Sequence, residues 1–146
     1  MILNLLIDTN VVLDSFLERE PFLAMSRQVL ALSRQYPNVQ NFISASTVMD
    51  IYYIAYKNLK DHQIVRGHFK KLFEFVTVVK VTADDIHAAF ALNWKDFEDS
   101  VQYAVAKSNN FDGIVTRNME GFVVDDAVKI FTPEEVCKYV EKNLEE

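Results

Sequence analysis

Short apolar runs alternate along this chain with longer stretches in which apolar residues return every three or four positions. Ile2 to Ile7 is the first run and predicts a buried strand. In Pro21 to Gln35 the residues Phe22, Met25, Val29, Leu30 and Leu32 fall close to helical spacing, with Pro21 at the first turn. Val39 to Ser44 is a second short run. Thr47 to Asn58 predicts a helix with Val48, Ile51, Tyr52, Ala55 and Leu59 along one stripe, and Asp61 to Phe75 predicts another. Val76 to Val81 is β-branched and strand-like. Ala83 to Asn93 and Phe97 to Lys107 predict helices, and Gly113 to Thr116 and Ala127 to Phe131 predict strands. A last helix opens at Thr132-Pro133-Glu134-Glu135, which has the cap, the proline and the third-position acid of a capping box.

Strands that alternate with one or two helices predict a mostly parallel sheet with helices on both faces, a three-layer α/β/α domain. There is no internal repeat and no Pro/Gly/Ser linker, so residues 1–146 form one domain. A chain of this length buries roughly 70% of its unfolded surface and needs no disulfide to fold. The single cysteine, Cys137, lies in an apolar-periodic stretch and reads as a reduced core thiol, which fits a cytoplasmic location. The apolar start lacks a basic n-region and a cleavage site and is too short to span a bilayer, so no signal peptide or membrane segment is expected. The net charge of −6 argues against passive, charge-driven binding of nucleic acid. Carboxylates that bind metal ions would reverse that sign locally.

Open parallel sheets bind ligands beyond the carboxyl ends of their strands. Acids stand at those ends here. The first strand runs into Asp8-Thr9-Asn10. Asp50 follows the second strand by one helical turn. Asp96 and Asp99 open the helix before the fourth strand, which ends in Thr116-Arg117-Asn118 with Glu120 two residues on. Each has a local explanation: Asp8, Asp50 and Asp96 suit helix starts as caps or first-turn acids. Their joint placement points further. Two unit charges about 4 Å apart repel by roughly 4 kcal/mol at an effective dielectric of about 20. Hard divalent cations with oxygen ligands relieve such crowding. Asp84, Asp85, Asp125 and Asp126 read as ordinary helix-start and turn acids.

Four segments resemble the motifs of PIN domains. Ile7-Asp8-Thr9-Asn10-Val11-Val12-Leu13-Asp14 is similar to their opening. Ile43 to Asp50 is similar to the second motif, Asp96 to Ala104 to the third, and Ile114-Val115-Thr116-Arg117-Asn118 to the fourth. The closest subgroup looks like the VapC-type toxins. The resemblance implies a five-stranded parallel sheet and Mg²⁺- or Mn²⁺-dependent endoribonuclease activity. It also implies homodimers and, for toxins, a small cognate antitoxin protein. By the same resemblance Asp8, Asp50 and Asp99 would be metal ligands and Thr116 would orient a ligand. Asn10, Asp96, Asn118 and Glu120 would support the site or a second ion, and Arg117 would touch RNA. Cleavage would leave 5′-phosphate and 3′-hydroxyl ends.

Two departures stand out. Asp50 occupies a position where the family usually has Glu, which shortens its reach by about 1.3 Å. Gly121 stands where a fourth acid is usual, with Glu120 beside it. A PIN-like module without catalysis, acting by binding or regulation, is the alternative that Gly121 favours. A receiver- or dehalogenase-like phosphoryl-transfer domain lacks support, since the first strand has one Asp and the fourth strand end has no lysine. For self-association the candidate is Ile51-Tyr52-Tyr53-Ile54-Ala55-Tyr56, which plain core packing would equally explain.

Overall fold

The computed structural model of the chain describes residues 1–123 and 125–146. Its strands are β1 (Leu3–Ile7), β2 (Val39–Ser44), β3 (Val76–Val79), β4 (Gly113–Val115) and β5 (Lys129–Phe131). Between and after them come helices α1 (Thr9–Phe16), α2 (Leu23–Gln35), α3 (Ala45–Leu59), α4 (His62–Leu72), α5 (Ala83–Leu92), α6 (Phe97–Ser108) and α7 (Pro133–Asn143). The sheet order is β3-β2-β1-β4-β5 and every pairing is parallel. The architecture is the three-layer α/β/α one that the alternating pattern predicts.

Strand alternation divides the core between the two faces. Leu3, Leu5 and Ile7 of β1, with Val115 and Phe131, join the apolar sides of α1, α2, α3, α4 and α7. Leu6, Ile114 and Ile130 point the other way, toward α6 and its neighbours Phe111, Phe122 and Val128. The central strand β1 is covered on both sides, which is why its sequence is a nearly unbroken apolar run. The chain leaves β1 for β2 and β3 on one side and returns to β4 and β5 on the other. The order therefore reverses between β1 and β4. Such a switch point leaves a crevice beyond the strand ends, and Asp8 and Thr116 directly follow the two strands that flank it.

Several element ends differ from expectation. Pro21 precedes α2 in a turn, because the first helical bond runs from the Ser26 amide to the Phe22 carbonyl. Helix α3 begins at Ala45, capped by the Ser44 hydroxyl, which accepts from the Thr47 amide. Asp61 caps α4 by accepting from the Gln63 and Ile64 amides, and the helix ends three residues early, at Leu72. The capping box at Thr132 and Glu135 is present as predicted. The proposed association segment splits: Ile51 and Ala55 are buried, whereas Tyr53 is 68% exposed and its neighbour Met49 75%. Among the described residues no helix is long and apolar enough to cross a membrane.

Cys137 is buried on the inner side of α7. Burial, with a smaller push from Glu141, moves its thiol up to about 11. Only the thiolate is nucleophilic. Native protein is therefore expected to react with a disulfide reagent at neutral pH far more slowly than denatured protein. Rapid labelling of folded protein would contradict the buried placement.

Candidate active site

The local folding of each strand end decides where its acid goes. Asp8 ends β1 in extended conformation and caps α1. Its Oδ1 accepts from the Thr9 amide at 2.8 Å and from Gln102 Nε2 at 3.3 Å. Its Oδ2 accepts from the Thr116 hydroxyl at 2.8 Å. Thr116 is fully buried and its backbone amide is tied to the Phe131 carbonyl. Asn10 bridges the same loop: its Nδ2 donates to Thr116 Oγ1 at 3.3 Å, and its Oδ1 accepts from the Arg117 amide at 3.2 Å. The carboxyl ends of β1 and β4 are thus locked together around one carboxylate.

Asp99 lies in the first turn of α6, which Asp96 caps by accepting from the Asp99 amide at 3.1 Å. The Asp99 carboxylate is buried, and among the described residues no side chain or amide donates to it. Burial, then the charges of Asp8, Asp96 and Glu98, push its pKa up to about 7. Glu98 is raised as well, by burial first and then by Asp50, Asp96 and Asp8. Neighbouring carboxyls thus raise both Asp99 and Glu98, while the ion pairs among the described residues involve other acids: Asp14, Glu18 and Glu134.

The grouping is broader than three aspartates alone. Asp50 is half-buried in α3 and acts on Glu98; it is not among the charges that raise Asp99. Among the described residues no three His, Cys, Asp or Glu side chains already stand in an arrangement that would hold a metal ion. Glu120 is exposed and contributes to neither raised carboxyl. Its amide is engaged by Asn118 Oδ1 at 3.3 Å, so Asn118 caps a short 3₁₀ turn, Met119–Gly121. Gly121 faces the acids directly. A Cβ placed on it would lie 1.6 Å from Asp99 Oδ2 and 3.6 Å from Asp96 Cβ. Asp99 occupies the space that a side chain at position 121 would need.

Arg117 does not reach outward as expected for an RNA contact. Its Nε donates to Asp14 Oδ2 at 2.6 Å and its terminal NH2 group to Asp14 Oδ1 at 3.1 Å. Asp14 is fully buried, accepts also from the Ser26 hydroxyl, and has Arg19 at 3.9 Å. Removing one partner of such a buried pair costs about 3–5 kcal/mol, so the guanidinium is committed to structure. Sequence reasoning gave no role to Asp14, Glu98 or Gln102. Helical spacing held a signal for Gln102, since positions 98, 99 and 102 share one side of α6.

The raised Asp99 predicts a pH dependence. The folded protein keeps this proton up to about pH 7, whereas the unfolded chain releases it near the ordinary value of 3.8. The stability it contributes is full below that ordinary value and is lost as pH climbs through about 7. Metal-free protein is expected to melt at lower temperature at about pH 8 than at about pH 5, Asp99→Asn should flatten that slope, and Mn²⁺ should raise the melting temperature most at the higher pH. An unchanged slope in Asp99→Asn would remove the assignment.

The sequence profile of the PIN domain family matches residues 4–120. No curated protein gives a match. Among solved structures, a toxin–antitoxin complex from Klebsiella pneumoniae is 26% identical, with a TM-score of 0.64 over 88% of this chain and 96% of that one. VapBC2 from Rickettsia felis, bound to a DNA fragment from its promoter, has a TM-score of 0.68 at 13% identity over 89% and 98%. VapC20 from Mycobacterium tuberculosis, a sarcin-ricin loop cleaving toxin, has a TM-score of 0.64 at 15% identity over 82% and 96%. The last two show the fold alone. With four motifs in order, an acid-lined switch point and a family match over most of its length, the chain belongs to the PIN domain family.

Proposed function

We propose that this protein is a divalent-metal-dependent endoribonuclease, the toxin of a toxin–antitoxin pair. One observation carries the reading. Asp8, Asp50, Asp96, Glu98 and Asp99 crowd the switch point with no lysine or arginine paired to them among the described residues. A bound divalent cation would make that crowd favourable at neutral pH. The ligand set fits Mg²⁺ or Mn²⁺: all oxygen, with no hydrogen-bond donor to the Asp99 carboxylate among the described residues and with Asp8 fixed in orientation. Mg²⁺ takes only one or two carboxylates directly and keeps several waters. Asp8 and Asp99 would be the direct ligands, with Asp50, Asp96 and Glu98 acting through water. When bound, the ion would lower the pKa of a coordinated water and offset charge on the phosphodiester.

The chain's own residues supply the positioning. Gln102 of α6 and Thr116, just after β4, each hold one oxygen of Asp8. Asn10 keeps Thr116 and the Arg117 backbone in register with β1. RNA is the substrate class that goes with the family and with the sarcin-ricin loop cleaving toxin from Mycobacterium tuberculosis. An antitoxin partner goes with the Klebsiella complex. A homodimer using exposed Met49, Tyr53 and Tyr56 on α3, and a cytoplasmic location, complete the proposal.

Gly121 supports a second reading, a PIN module that binds without cleaving. The same assay separates the two. Wild-type protein with Mn²⁺ is expected to cleave mixed-sequence RNA, and Asp8→Asn to lose at least about 100-fold of that activity, the upper end of what outer-shell changes cost. Its metal-free melting temperature should stay close to wild type. Calorimetric Mn²⁺ binding without any cleavage would favour the binding module. Full activity in Asp8→Asn would reject the mechanism.

A further inference from the structure

A buried side-chain amide normally finds partners for both its nitrogen and its oxygen. Among the described residues two buried amide oxygens have none, Asn41 Oδ1 and Gln102 Oε1. Asn41 lies in mid-strand and ties β2 to α2, donating from Nδ2 to the Val29 carbonyl at 3.0 Å. Gln102 lies beside the acids. It is only 4% exposed, and its Nε2 donates to Asp8 Oδ1 at 3.3 Å. The oxygen shares one small planar head with that nitrogen, so it too stands next to the Asp8 carboxylate. Turning the amide over would set two oxygens against each other, so Asp8 dictates which way the group points.

Positions 98, 99 and 102 share one side of α6, and the charge of Asp8 raises the pKa of both Glu98 and Asp99. Gln102 Oε1 is thus an acceptor without a donor, held where these acids gather. Hard cations take amide carbonyl oxygens as well as carboxylates. A neutral oxygen has a particular advantage here. Among the described residues no three His, Cys, Asp or Glu side chains already form a metal-holding group, and each further carboxylate would add repulsion. An amide oxygen adds a ligand atom without adding charge.

We propose that Gln102 is a further positioning residue of the divalent-cation site: Nε2 orients Asp8, and Oε1 supplies a neutral oxygen to the hydrated cation. The proposal rests on the metal-dependent reading, and its test keeps the two apart. Mn²⁺ is titrated calorimetrically into wild-type protein, Gln102→Met and Gln102→Glu, and the metal-free proteins are melted alongside. Gln102→Met keeps the length of the side chain and removes both polar atoms. It is expected to weaken Mn²⁺ binding about 10- to 100-fold. Its metal-free melting temperature should not fall, because Asp8 Oδ1 still accepts from the Thr9 amide and the orphaned oxygen is gone. A merely structural amide would lower stability and leave metal affinity alone. Gln102→Glu, which keeps an oxygen at the same place, should melt lower than wild type without metal and bind Mn²⁺ at least as tightly. A glutamate variant as weak as the methionine one would trace the loss to the Nε2 bond alone and overturn the role of Oε1. Equal Mn²⁺ affinity in all three proteins would overturn the whole assignment and leave the nuclease reading standing. No Mn²⁺ binding by the wild-type protein would overturn both.

Discussion

Repulsion among like charges, with no lysine or arginine paired to them among the described residues, sets the chemistry of the crevice beyond β1 and β4. A buried carboxylate needs donors or a cation, and Asp99 has neither among the described residues. Burial and its neighbours Asp8, Asp96 and Glu98 hold its pKa near 7. Among the described residues the fold accepts that cost for an aspartate beside the crevice between β1 and β4. Other acids are satisfied by ordinary means: the Asp61 and Asp85 carboxylates accept from helix-start amides, and Asp14 is met by a bidentate arginine.

The contrast between Asp14 and Asp99 is instructive because both are buried aspartates close to the same strand ends. Arg117 leaves the loop after β4 and turns back onto Asp14 at the far side of α1, pinning that loop to the helix. The loop so fixed presents Thr116 to Asp8. One arginine stabilises the scaffold, while among the described residues no arginine or lysine pairs with Asp8, Asp50, Asp96, Glu98 or Asp99. Gly121 belongs to the same arrangement, since any side chain there would displace the Asp99 carboxylate.

Much of this was legible in the residues. The nearly unbroken run Ile2 to Ile7, the β-branched Val76 to Val81 and the Thr132 capping box located elements to within a few residues. The rule that ligands bind beyond strand ends pointed to Asp8, Asp50, Asp96, Asp99, Thr116, Asn118 and Glu120 together; of these Glu120 is exposed and Asp50 is not among the charges that raise Asp99. What remained hidden depends on partners far apart in the chain. The reach of Arg117 to Asp14 spans 103 positions and that of Gln102 to Asp8 spans 94. Glu98 was passed over because it reads as a surface first-turn acid. Only the packing of α6 against the crevice brings it under the charge of Asp50. The start of α2 slipped from Pro21 to Leu23 because a turn signal and a helix-start signal overlap at a proline.

Paramagnetic broadening gives the most direct measurement of the central claim. Substoichiometric Mn²⁺ added to isotope-labelled protein should first erase the amide signals of Asp8, Asp99 and Gly121, while those of α4 and the C-terminal end of α7 persist. Broadening that spreads evenly over the acidic surface, or that begins elsewhere and spares these three residues, would show that the carboxylates at the switch point do not hold a metal ion.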